Sequence, residues 1–429
     1  MKKNNDLLAK DFDDIKIINI ILYIIIGIMP FIIIPQTAQP YINGKVIFLY
    51  LASILLVLLI MIDKIRIEIN IEEKIIIIFF FSLVISTIFS IDVITSVIGK
   101  TGWYSGIITY SMYILFFLVA SIYIKFSNIA INFIGSLSVI MSIYTIIQFY
   151  KKDPLLILIF GESSGVDSYG TIGNRNYVGT YFVIFLIAML SIYVIFNKKI
   201  FLIYSSILFA GLLTSLTRGC WVAFICVALF ALILLRKKKM CLKRIVIVIS
   251  IFTIIFLGIN ITSNGRIIGR TNELVEDIKD LSEESGSGRI RIWRMVLRTI
   301  EDKPLLGTGL DTLDNRLAIS ESDEFWDLAS KVGIVDKAHN EFLEYWACGG
   351  IVTVLSYISL ISVILYKLFK RREDDISKIF MLTIVGYIVQ SFFNNSVIAV
   401  APLYWILLGA AVKHYRDLDK AKEVQAIAE

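Results

Sequence analysis

The sequence predicts an all-α fold: a polytopic transmembrane helical bundle of about twelve spans, with one long extracytoplasmic loop containing an amphipathic helix. Three observations predict it. Of 429 residues, 57% are hydrophobic and only 18% charged, with a mean hydropathy of +0.78, too little charge to cover a soluble domain of this length. The apolar residues fall in runs close to the ~20 needed to cross a bilayer. The basic residues, which give a net charge of +6, sit in short clusters between those runs, which is how membrane topology is encoded, and nucleic acid is not an expected partner.

The first sixteen residues, MKKNNDLLAKDFDDIK, are polar and charged, and form an expected cytoplasmic N-terminal segment (1–16). No small-residue cleavage site follows the first apolar run, so it reads as a retained helix. Apolar runs then fall near 17–35, 46–62, 75–91, 106–124, 129–150, 177–196, 200–216, 219–235 and 244–262, making a first bundle over 17–262. Three more, near 348–366, 378–394 and 397–412, make a second bundle over 348–412, followed by a cytoplasmic tail over 413–429. In lipid each must be helical, because every backbone group has to be satisfied within its own segment.

An even number of spans puts both termini on one side. With that side cytoplasmic, the cytoplasmic segments hold 25 of the 42 Lys and Arg, and the short outer connections hold 6. The remaining 11 lie in the long connection 263–347, and long loops are exempt from the charge rule. Arg236-Lys237-Lys238-Lys239, with Lys243 and Arg244, is the strongest single stop. The expected location is the cytoplasmic (inner) membrane, with the active site on the outer face.

The extracytoplasmic loop, 263–347, begins with a polar stretch that runs into ESGSG at 284–288. From Arg289 to Glu301 the pattern is that of an amphipathic helix. Arg291, Arg294 and Arg298 share one face, and Trp293, Val296, Leu297 and Ile300 the other; Lys303-Pro304 ends it. LLGTGLDTL at 305–313 is a glycine-bearing turn, and a run of acids follows: Glu321, Asp323, Glu324 and Asp327.

The spans carry few ionisable residues, whereas ion-coupled transporters usually keep them at mid-membrane. Polar residues collect at the outer ends instead. Arg218, in LLTSLTRGCWVAF, occupies a short outer turn; an interfacial arginine reaching for headgroups would look the same. Arg289, Arg291, Arg294 and Arg298 cluster on the loop helix, which lying on anionic lipid would also explain. His339, in KAHNEFLEYW, stands where the loop re-enters the membrane, as a structural histidine or a reactive one; the other histidine, His414, lies in the tail and reads as incidental.

Guanidinium groups supply fixed charge and a planar fork for phosphate oxygens. A histidine can take a proton from a hydroxyl near neutral pH. Together they suit group transfer from a phosphate-activated donor. No metal site is expected, since one histidine without cysteine partners does not make a zinc site, and the acids at 321–327 lack EF-hand spacing. The four cysteines (Cys220, Cys226, Cys241, Cys348) show neither metal spacing nor a disulfide framework.

Four stretches in this order resemble the bacterial O-antigen ligase and O-antigen polymerase superfamily. GTIGNRNYVGTYF at 170–182 is similar to the family's Gly-Thr-Phe-Gly-Asn-x-Asn-Tyr stretch, and TSLTRGCWVAF at 214–224 to its Ser-Arg-Gly-x-Trp motif. GRIRIWRMVLRTIEDKPLLGTGLDTL at 288–313 is similar to Arg-x-x-x-Trp followed by Pro-Leu-Leu-Gly-x-Gly, and HNEFLEYWACGGIV at 339–352 to His-Asn-x-x-Leu-Glu followed by Gly-Ile. Thr217 replaces the usual Ser before Arg218 and keeps a hydroxyl.

The resemblance implies a metal-independent, inverting glycosyltransferase without cofactor. Its donor would be a polyprenyl-diphosphate-linked glycan. The acceptor would be a lipid A core sugar in a ligase, another lipid-linked repeat unit in a polymerase, or a protein side chain in related enzymes. Membrane lipids are the other expected partners. Arg218 and His339 carry over as catalytic residues. Arg289, four residues before Trp293, is taken as the loop arginine, with Arg291 as the alternative. Arg291, Arg294, Asn340 and Asn176 are expected to bind substrate. A lipid-linked glycan transporter and a non-catalytic assembly partner are the readings from other classes.

Overall fold

Apolar runs become helices wherever the sequence places them. The computed structural model describes residues 17–63, 69–160, 168–279, 288–333 and 335–428. The expected N-terminal segment 1–16, and all but Gly288 of the ESGSG stretch, lie outside those residues. Among the described residues every regular element is a helix.

The first bundle comprises α1 (Ile17–Phe31), α2 (Asn43–Asp63), α3 (Ile71–Ile88), a short α4 (Val93–Ile98), α5 (Ile107–Tyr123), α6 (Asn128–Phe149), a short α7 (Pro154–Phe160), α8 (Arg175–Phe196), α9 (Lys199–Thr214), α10 (Arg218–Leu235) and α11 (Lys239–Thr262). The loop region folds as α12 (Arg266–Lys279), α13 (Arg289–Asp302), α14 (Leu313–Ser320), α15 (Ser322–Val332) and α16 (Glu341–Gly349). The chain closes with α17 (Ile351–Lys370), α18 (Asp375–Ser391) and α19 (Ala401–Ala428). Each of the twelve apolar runs overlaps a helix. Six helices (α2, α6, α8, α10, α11 and α17) are long and apolar enough to cross a membrane, and α1, α5 and α9 are shorter apolar helices. This is an integral membrane protein: α11 alone exposes Ile247, Ile254 and Ile261 at a seven-residue repeat, an apolar stripe that only lipid or another chain would cover.

The core is built around α8, of whose apolar window 83% is buried, against 11% for α11 at the periphery. α8 packs on α9 and α18, α5 on α19, and α3 on α17. Trp405 on α19 is fully buried, and the rings of Phe79, Tyr113, Phe117 and Tyr357 surround it at centroid distances of 5.7 to 6.4 Å, knitting α3, α5, α17 and α19 together.

The two ends of the bundle differ. At one, buried Glu72 accepts from Tyr415 and Arg416 and pairs with Lys367, and His414 on α19 meets Asp374 at 2.8 Å. At the other, the long connections converge. Lys45 Nζ donates to the carbonyls of Ile32 and Thr171, each at 2.9 Å, and Ile91 N donates to Thr308 O at 3.0 Å.

The loop region holds more helices than the one expected, and the inward face of that one differs from expectation. Over 266–279 the polar part of the loop is helical, forming α12. On α13 the buried stripe is Ile292, Met295, Val296, Thr299 and Ile300, while Leu297, expected inward, is 44% exposed. A 3.6-residue period puts 292, 295/296 and 299/300 in line and carries 297 off it. The acidic run at 321–327 is explained by α13. Arg291 pairs with Glu324 (3.2 Å) and Asp327 (2.7 Å), and Arg298 with Glu321 and Glu324. The turn at 305–313 docks against the end of α16 through Thr308 N to Ala347 O (2.9 Å) and Gly309 N to Cys348 O (3.0 Å). Gly309 has φ +104°, and a Cβ there would lie 1.9 Å from Ser90 Oγ. The glycine motif is thus a packing device beside the site. All four cysteines are unpaired.

Candidate active site

Three helices begin with an arginine, and all three beginnings meet. Arg175 opens α8, Arg218 opens α10 and Arg289 opens α13, and the three line one cavity of about 170 Å³. A helix start leaves backbone N–H groups unpaired and carries the positive end of the macrodipole. On α8, Asn174 caps one of them, accepting from Asn176 N at 2.8 Å. The starts of α10 and α13 have no side-chain cap: Thr217 instead donates Oγ1 to Arg175 O at 2.8 Å, and Gly288, with φ +76°, offers no side chain. These uncapped helix starts and the guanidinium groups therefore point to an anion.

A fourth guanidinium comes from Arg270 on α12, whose Nε donates to Leu216 O at 3.1 Å in the turn before Arg218. α12 also brings acid. Asp277 lies 2.6 Å from Arg218, and Glu273 lies 3.7 Å from it. Among the described residues, none forms an ion pair with Arg289. Burial, then neighbouring Arg218, hold the Arg289 guanidinium below the ordinary arginine value.

His339 lines the same cavity. Its φ is +48°, an uncommon conformation for a side chain with a Cβ, and both flanks are pinned. On one side Ala338 N donates to Glu344 Oε2 (2.8 Å) and Ala338 O accepts from Trp293 Nε1 (3.0 Å). On the other, the Asn340 side chain accepts from Phe342 N (3.0 Å) and Leu343 N (3.2 Å), capping α16. Beneath lies a buried triad in which Lys337 Nζ meets Asp311 Oδ1 at 2.6 Å and Glu344 Oε1 at 3.1 Å. Asp311 also accepts the backbone N–H of Lys100 (2.6 Å) and Ser105 (3.0 Å), tying the α4–α5 connection to the histidine.

Burial first, then the cations Arg289 and Lys337, lower the His339 imidazole to about 4. It is therefore neutral at physiological pH. Its Nδ1 is buried and has no hydrogen-bond partner among the described residues. A neutral imidazole beside four guanidinium groups can take a proton from a hydroxyl while the guanidiniums hold an anionic leaving group.

Of the residues expected from sequence, Arg218, Arg289, His339 and Asn176 line this cavity. The structure does not bring Arg291, Arg294 or Asn340 to its wall. Arg291 faces the acids of α15, Arg294 is exposed on α13, and the Asn340 side chain is occupied as a helix cap. Arg175, Arg270, Gln390 and Asn394 line the cavity and were not anticipated. Asn394 Nδ2 donates to Asn176 O at 3.0 Å, and Thr180 Oγ1 to Gln390 Oε1 at 2.8 Å, fastening the end of α18 to the start of α8. A polar cluster closing an apolar run, QSFFNNS at 390–396, was the available signal for these two. Arg175 sits inside a stretch already singled out, beside Asn176. Arg270 has no comparable mark. His414 stands at the far end of α18, which at 1.5 Å per residue is roughly 25 Å from the cavity.

The segment that supplies Arg218, Arg270, Arg289 and His339 is the one that matches a known family. Residues 203–358 match the O-antigen ligase family. The match is to a family model described as O-Antigen ligase, and it bears out the superfamily resemblance carried by the motifs. No curated protein matches the chain. The O-antigen ligase match begins in α9 and ends in α17, so Arg175, Asn176, Gln390 and Asn394 reach the cavity from outside it. Among the described residues, no group of three or more His, Cys, Asp or Glu could hold a metal ion.

Proposed function

We propose that this protein is an O-antigen ligase-like glycosyltransferase acting on a polyprenyl-diphosphate-linked glycan in surface polysaccharide biosynthesis. The observation that carries the reading is the convergence of three arginine-headed helix starts, α8, α10 and α13, on a cavity shared with a neutral histidine. The diphosphate would lie against Arg218, Arg289 and the uncapped N–H groups of α10 and α13. The acceptor hydroxyl oxygen attacks the anomeric carbon and the carbon–oxygen bond to the diphosphate breaks. Polyprenyl diphosphate leaves with the electron pair, and His339 takes the hydroxyl proton. Attack opposite the leaving group inverts the anomeric centre, and no metal or cofactor takes part. The acceptor would be a glycan or a lipid-linked sugar, in a ligase or in a polymerase.

The proposed topology has twelve spans, both termini in the cytoplasm, and 263–347 outside the inner membrane. The cluster of Lys and Arg at 236–244 supports it, as does the collection of the cavity-forming connections at one end of the bundle. The test is replacement of His339 by Ala, with membrane insertion verified and surface polysaccharide measured. Unchanged glycan length and amount would end the catalytic role. A purified-protein assay with lipid-linked donor separates transfer from transport.

A further inference from the structure

A second cavity, of about 520 Å³, opens beside the guanidinium pocket. It lies within the size range of small-molecule sites. Among its walls are Tyr41, Trp103, Tyr177, Gln39, Asn174 and Asp336. The partition between the two cavities is thin in sequence. Asn174 and Tyr177 line this one, while Arg175 and Asn176, between them, line the other; Asp336 stands three residues before His339.

The rings are held in place. Trp103 Nε1 donates to Asp336 Oδ2 at 2.7 Å, the Trp103 and Tyr177 rings meet edge to face at 5.9 Å, and Lys337 Nζ lies 5.3 Å from the Trp103 ring centre. Burial raises the Asp336 carboxyl above the ordinary aspartate value. The chemistry is the reverse of the neighbouring pocket. Among the described residues no arginine lines it, the one lining cation, Lys100, pairs with Asp314, and a carboxylate stands in the wall. A phosphate is disfavoured there. A sugar ring fits: its C–H faces suit aromatic surfaces, and its hydroxyl edge suits a carboxylate and two carboxamides.

We infer that this cavity binds a sugar residue of the acceptor glycan, with Trp103 and Tyr177 as its platform and Asp336 as hydroxyl acceptor. The inference rests on the transfer reading and adds the acceptor's place: across the Asn174–Tyr177 partition from the diphosphate, so that one hydroxyl reaches His339.

The test uses the full-length protein in lipid nanodiscs and two probes. One is oligosaccharide released by mild acid from the surface polysaccharide of the producing cell, followed by saturation-transfer NMR. The other is inorganic pyrophosphate, followed by calorimetry. Trp103→Ala and Asp336→Asn should weaken oligosaccharide binding at least about tenfold while pyrophosphate affinity stays within about twofold, and Arg289→Ala should do the opposite. Oligosaccharide binding that survives both Trp103→Ala and Asp336→Asn, or that falls equally in Arg289→Ala, overturns the inference. Should Trp103→Ala lose both probes through misfolding, Trp103→Phe and Asp336→Asn decide. If instead pyrophosphate ignores Arg289→Ala and His339→Ala cells keep their polysaccharide, the transfer reading falls while the sugar cavity stands.

Discussion

Trp293 Nε1 donates a 3.0 Å hydrogen bond to the carbonyl oxygen of Ala338, the residue before His339. Trp293 lies one helical turn after Arg289, so this bond fixes the arginine-bearing start of α13 relative to the histidine. Trp293→Phe keeps the ring and removes the donor. Stability should fall by about 0.5–1.5 kcal/mol. Transfer should fall by about tenfold or more, because a small misplacement of a reacting group is costly. Thermal unfolding and a donor-transfer assay measure the two; a transfer loss no greater than the loss of folded protein would refute the alignment role.

Arg289 and Arg291 are two residues apart and face different surroundings. Arg289 lines the cavity, and Arg291 pairs with Glu324 and Asp327 on α15. Arg289→Ala should abolish pyrophosphate binding. Arg291→Ala should leave it intact and cost little stability, as expected for ion pairs at a solvent-facing surface, where Asp327 is exposed and Glu324 part-buried. Equal loss of binding in both variants would place the anion elsewhere.

His339 should titrate near 4 in the folded protein, against an ordinary value of 6.5. Between those values the unfolded chain binds a proton that the folded protein does not. The contribution of His339 to stability is therefore complete above about 6.5 and lost as pH falls toward 4. Transfer that needs the neutral imidazole should persist at pH 6 and decline below about 5. The chain has only two histidines, so histidine-labelled NMR gives two imidazole signals, assigned with His414→Gln. Arg289→Gln should move the His339 midpoint upward by removing a cation. A midpoint near 6.5 in the intact protein would contradict the buried, cation-flanked setting.

Lys337 neutralises two buried carboxylates, Asp311 and Glu344. Burial opposes its charge, but those carboxylates outweigh burial and hold it well above the ordinary lysine value. Lys337→Gln strands both acids and should cost about 3–5 kcal/mol. Asp311→Asn combined with Lys337→Gln should recover part of that loss, because one stranded charge is removed with its partner. Chemical denaturation of the four combinations reads the coupling, and strict additivity would show that the triad is not a unit.

The apolar runs were legible because a bilayer imposes one rule on each segment separately, so α8 or α10 can be read from its own composition. The start of α13 was legible for a similar reason, as 3.6-residue periodicity is local. Its inward face was only partly so: Leu297 and Met295 differ by less than a turn, and which one is buried depends on what α14, α15 and α16 place opposite. The same holds for the arginines. Nothing local distinguishes Arg289 from Arg291, since their roles are assigned by the acids of α15 on one side and the start of α10 on the other.

By itself the sequence determined the class of the protein and the places where its helices lie, because these follow from local composition and spacing, while its motifs, through their resemblance to a family, singled out Arg218, His339 and one of Arg289 and Arg291. Only the tertiary structure decided that Arg175, Arg270, Gln390 and Asn394 join them, and that Lys337, Asp311 and Glu344 hold the histidine loop. Those residues lie as much as 219 positions apart in the chain. A converging electric field and a buried ion triad are properties of distances between segments, which no single segment carries.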